Sequence, residues 1–180
     1  MQKLLTVVAL LLSLGSQAQV KKVSLQASGL TCSMCSNSIF KSIKTVDFID
    51  KVEPDIKTST FDISVKPGRA VDFDLLRKKV EDAGFFVASF RVTMEFDKQA
   101  LANDSHVEMN GLLFHFLNIS NQTLDGEQTV KLLDKGFVPV KEYKRNNRFT
   151  LMECYKTGLM GACCKKGTPE KPTRVFHVTI

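Results

Sequence analysis

Val23-Ser24-Leu25-Gln26-Ala27-Ser28-Gly29-Leu30-Thr31-Cys32-Ser33-Met34-Cys35 decides the fold. Val23, Leu25 and Ala27 alternate with polar residues, the period of a half-buried strand. Gly29 opens a short loop, and two cysteines three positions apart follow it. Past Cys35 the period changes: Ile39, Phe40, Ile43 and Val46 recur at helical spacing, with lysines opposite. A strand therefore passes through a thiol-bearing loop into an amphipathic helix.

Working outward, Phe48 to Glu53 and Thr58 to Lys66 read as strands joined through Pro54-Asp55, with Phe61, Ile63 and Val65 alternating in the second. Pro67-Gly68 breaks the chain. Asp72 or Asp74 can then cap a helix bearing Phe73, Leu76, Val80 and Ala83, closed by Gly84. Phe86 to Phe96 reads as a further strand. The order strand, helix, strand, strand, helix, strand is the split βαβ arrangement of a ferredoxin-like domain. The predicted class is α+β, with a ferredoxin-like βαββαβ domain over 19–97, a polar linker over 98–105 and a small β-rich barrel or sandwich over 106–180. In that last part Val107 to Leu117 (bent at Asn110-Gly111), Thr129 to Leu133, Phe137 to Tyr143, Arg148 to Tyr155 and Arg174 to Ile180 are strand candidates.

The first residues point to export. Met1-Gln2-Lys3 is a short basic head, Leu4 to Leu14 is apolar but for Thr6 and Ser13, and Ser16-Gln17-Ala18 offers small residues for cleavage. The run is shorter than the roughly 20 apolar residues a comfortable membrane span needs. A signal peptide over 1–18 and a periplasmic or secreted protein, without stable membrane insertion, are expected. The net charge of +6 comes from scattered lysines rather than a stripe, which points away from nucleic acid.

Two thiols, one on a loop and one on the first helical turn, can converge. The partial positive charge of the helix N-terminus favours thiolate. Soft thiolates select Cu(I) and can take Zn(II), but a two-sulfur set underfills tetrahedral zinc. Cu(I) is the expected cargo, with room for a third sulfur from a metal-donating or metal-accepting protein. Gly29, Thr31, Cys32 and Cys35 in this context resemble the signature of the heavy-metal-associated domain, the family of copper chaperones and copper-pump N-terminal domains, over residues 21–96. Leu30 stands in the signature's methionine position. Glu81-Asp82-Ala83-Gly84-Phe85 resembles the end of the family's second helix, near the metal loop. The resemblance implies Cu(I) binding and transfer by ligand exchange, for which no catalytic side chain is needed, so an enzyme is not expected. Two other readings stand beside it: an exported thiol–disulfide oxidoreductase using Cys32 and Cys35, and an interaction module that metal merely stabilises.

Five cysteines leave an odd thiol in any disulfide framework. Cys154, Cys163 and Cys164 lie in a segment rich in glycine, with Met160 between them and Lys165-Lys166 behind. They suit a three-sulfur Cu(I) site or a zinc site completed by His106, His115 or His177. A disulfide from Cys154 to Cys163 or Cys164, and a site shared with Cys32 and Cys35, are equally open. His115 and His177 read as strand residues and His106 as part of the linker.

Overall fold

The computed structural model describes residues 20–30, 32–161, 164 and 173–180. The expected signal peptide, Thr31 and Cys163 lie outside the described residues. Strand β1 (Val20–Ser28) leads into α1 (Ser33–Ile43), followed by β2 (Ile49–Asp55) and β3 (Thr60–Val65). Helix α2 (Phe73–Asp82) returns the chain to β4 (Phe86–Leu101). The expected βαββαβ order is therefore present, and β1 sits between β3 and β4, antiparallel to both. Each element obeys its local chemistry. The Asp72 side chain caps α2 by accepting from the Leu75 N–H at 2.9 Å. Alternation in β3 buries Phe61, Ile63 and Val65.

The second half contains β5 (His106–Met109), β6 (Leu112–Phe116), β7 (Gln122–Leu132), α3 (Val140–Asn146), a 3₁₀ turn (Asn147–Phe149), α4 (Cys154–Thr157) and β8 (Val175–Thr179). These strands make neither a barrel nor a sandwich. They extend the first sheet into one open eight-stranded sheet of order β2-β3-β1-β4-β7-β8-β6-β5. The join is β4, which is long enough to pair with β1 along one edge and β7 along the other. Lys98 to Leu101, read from sequence as the start of a linker, belong to this strand. Its pairing register shifts between Phe96 and Gln99, where Lys98 takes φ 44°, so the regular alternation is lost at this bulge.

Two strand expectations fail. Phe137 to Tyr143 turns through Pro139 into α3, and Arg148 to Tyr155 holds the 3₁₀ turn and the start of α4. Both stretches are rich in aromatic and β-branched residues, but those side chains cap a sheet face instead of pairing in the sheet. Asn110 (φ 54°) and Gly111 (φ 71°) form the two-residue turn of the β5–β6 hairpin, both in the left-handed conformation such turns demand.

The core is layered by strand parity. On one face, Phe73 from α2 packs edge-on to Phe90 of β4 and Phe176 of β8, with Phe114 of β6 at 6.3 Å between centroids. The opposite face of β6 and β8 carries His115 and His177 and is covered by the segment around Tyr155. Among the described residues, no helix is long and apolar enough to cross a membrane.

Candidate metal centre

The Cys32–Cys35 pair sits where β1 has ended and α1 begins. Gly29 adopts φ 85°, a left-handed turn that lets the chain leave the end of β1, and a Cβ there would stand 3.9 Å from the Phe85 ring. Leu30 packs against the main core, anchoring the loop from below. Cys32 is the N-cap of α1: its backbone is extended, and its Sγ accepts from the Cys35 N–H at 3.4 Å. That sulfur sits at the positive end of the helix dipole.

The two Sγ atoms are 2.6 Å apart. Cys32 is exposed and Cys35 half-buried. No third His, Cys, Asp or Glu joins them in a metal-holding group among the described residues. The pair is thus a two-sulfur donor set open on its solvent side. Met34, between them in sequence, is 79% exposed. Phe85 is half-buried beside the loop and adds no charge.

The structure places the other cysteines elsewhere. Cys154, at the start of α4, is buried, and its Sγ lies 3.6 Å from His115 Nδ1. Cys164 is half-buried and donates its N–H to the Gly161 carbonyl at 3.0 Å. Cys154, His106 and His115 each offer a ligand atom, all within 4.8 Å of one another, and this group includes neither Cys32 nor Cys35.

Sequence reasoning named His106, His115 and His177 only as alternative completions of a cysteine site, and did not see that His106 and His115 stand side by side. A signal was present: a two-residue turn at Asn110-Gly111 pairs Met109 with Leu112 and, counting back, His106 with His115. His115 is in turn the register partner of His177. All three histidines of the chain therefore form one row across β5, β6 and β8. Their rings touch in sequence, with His106 stacked on His115 at 4.0 Å and His177 edge-on to His115 at 5.1 Å. Burial, reinforced by repulsion from His106 and His177, pushes the His115 imidazole down to about 4 against the opposing pull of Asp104. Burial likewise lowers His106. His115 is accordingly neutral near pH 7, the form that can donate a lone pair.

No curated protein matches the chain. Several solved structures do. A yeast copper transporter domain, studied in apo and Cu(I) states, is 25% identical over 37% of this chain and 90% of its own, with a TM-score of 0.34. Apo-CopP from Helicobacter pylori is 19% identical over 37% of this chain and 98% of its own, with a TM-score of 0.33. The N-terminal soluble domains of CopA from Bacillus subtilis are 16% identical over 72% and 88%, with a TM-score of 0.37. The family model of the heavy-metal-associated domain matches residues 24–86, the stretch that carries Cys32 and Cys35, and that part of the chain is a heavy-metal-associated domain.

Proposed function

We propose that Cys32 and Cys35 hold Cu(I) and pass it to, or take it from, a partner protein by thiolate exchange. One observation carries the reading: the donor set is two sulfurs at a solvent-facing helix N-cap, with no His, Asp, Glu or further Cys grouped with them among the described residues. Two thiolates satisfy Cu(I) but leave Zn(II) short of its usual four ligands. The open side admits an incoming thiolate, which bonds to the ion while it still holds both cysteines. One Cys–Cu bond then breaks, and the departing sulfur leaves as thiolate or takes a proton from water. Copper stays Cu(I) throughout, so no oxidant or reductant enters the step.

The apolar run Leu4 to Leu14, with its basic head and the small residues after it, supports the further proposal that the working protein is exported. In an oxidising compartment the pair would close to a disulfide whenever metal is scarce, so a reductant or prior loading belongs to the same cycle.

The test is an anaerobic Cu(I) titration of the reduced chain against a competing chelator, run beside Cys32→Ser/Cys35→Ser. Tight binding in the first and its loss in the second is the expected result. A chain that fails to compete for Cu(I) yet reduces insulin disulfides through Cys32 and Cys35 would replace this reading with the oxidoreductase one.

A further inference from the structure

The histidine row forms a second centre with no part in the exchange proposed for Cys32 and Cys35. Each of its imidazoles has one nitrogen committed. His115 Nε2 is held by Asp104 Oδ1 at 3.0 Å, which leaves Nδ1 facing Cys154 Sγ. His177 Nδ1 is held by Asp134 Oδ1 at 2.9 Å, and Asp134 Oδ2 is fixed in turn by the His177 N–H at 2.7 Å. His106 makes a hydrogen bond with the backbone of Asp104. The nitrogens left over are anomalous for a folded interior. His106 Nε2 and His177 Nε2 are buried and have no hydrogen-bond partner among the described residues. His115 and His177 are themselves fully buried. A buried polar atom without a partner is destabilising, and two of them in one row call for a ligand.

We infer that Cys154, His106 and His115 form a buried imidazole–thiolate site for a borderline divalent cation, Zn(II) in class, with His177 packed edge-on against His115 beside it. The carboxylates behind the rings are the arrangement that fixes tautomer and orientation in histidines that bind metal. Charge selects the valence. The Cys154 thiolate, Asp104 and Asp134 bring three negative charges, and Arg174, 3.1 Å from Asp134 and shared with Asp74, offsets part of one. The remainder matches a doubly charged ion better than Cu(I). Mixed nitrogen and sulfur donors suit Zn(II), and burial makes this a resident ion that ties β5, β6 and α4 together. The exposed two-sulfur pair, by contrast, is built to exchange its ion.

The test titrates Co(II) into the reduced, metal-free full chain carrying Cys32→Ser/Cys35→Ser, so its outcome is independent of the copper reading. About one equivalent should bind with the intense visible bands of tetrahedral coordination and a near-ultraviolet thiolate-to-cobalt band, and Zn(II) should displace it. Adding Cys154→Ser should abolish the charge-transfer band. His106→Gln, on an edge strand and with its fold checked by circular dichroism, should weaken or remove the visible bands. Asp104→Asn, nearly isosteric, should weaken binding about 10- to 100-fold without unfolding the chain. Absence of tetrahedral bands in the Cys32→Ser/Cys35→Ser chain, or bands that persist unchanged through Cys154→Ser and His106→Gln, would overturn the inference.

Discussion

At Cys32 one side chain has two duties, and they can be separated. Its Sγ caps α1 by accepting from the Cys35 N–H, and it is also half of the soft donor pair. Serine is among the best N-cap residues, while its hydroxyl is a poor ligand for Cu(I). Cys32→Ser should therefore leave the unfolding free energy within about 0.5 kcal/mol of the parent, because a cap oxygen replaces a cap sulfur. The same substitution should remove competitive Cu(I) binding. Denaturant melts and chelator competition on one sample read both quantities. A melt displaced as far as the binding would mean that the loop needs sulfur to fold. Cys32→Ala should lose binding and also roughly 1 kcal/mol of stability, since alanine offers no cap.

Helix α2 shows how a small terminal group secures a large apolar contact. Asp72 Oδ1 satisfies the Leu75 N–H at the N-terminus, and Phe73 next to it enters the core with no exposed surface. Asp72→Ala should cost about 1 kcal/mol in a chemical melt. Cu(I) affinity should not change, because Phe85 and the metal loop lie past the helix's other end. A fall in affinity alongside stability would show that the loop is sensitive to the whole helix. Elements like this were legible in the sequence, since Phe61, Ile63 and Val65, or Phe73, Leu76 and Val80, repeat with the period of their structure. The Cys32–Cys35 pair was legible for the same reason, being placed by a strand on one side and a helix on the other. Legibility ended where side chains serve a face without joining the sheet. Phe149 and Tyr155 have strand composition but pack onto the second face from short helical turns. The polar stretch Lys98 to Leu101 pairs through its backbone, and its bulge erases the alternation that would have announced a strand. The histidine row was hidden by distance along the chain, because His177 meets His115 only through the parallel pairing of β8 with β6.

Across the molecule, the two halves share a sheet, and they also share the apolar layer beneath α2. Phe73 leaves the ferredoxin-like half and meets Phe114 and Phe176, which belong to β6 and β8. Phe137 closes the set by packing edge-on against Phe90 of β4. Arg174 adds a polar clasp, binding Asp74 of α2 at 2.9 Å and Asp134 of the second half at 3.1 Å. An element held on both sides in this way should make the halves unfold together. Phe73→Ala removes a fully buried ring and should cost about 3–5 kcal/mol. What matters is where the loss is felt. Amide hydrogen exchange should speed up by similar factors in β1 and β3 and in β6 and β8, because one cooperative unit opens globally. Two independent domains would respond differently, with faster exchange confined to the strands before residue 97 and β6 and β8 left at their original rates. Arg174→Met sharpens the comparison, since it removes the clasp while keeping much of the side-chain stem. A common acceleration in both variants would make the Cys32–Cys35 pair and the buried histidine row parts of a single folded body, so that an ion held by the row would stabilise the scaffold on which Cys32 and Cys35 are mounted.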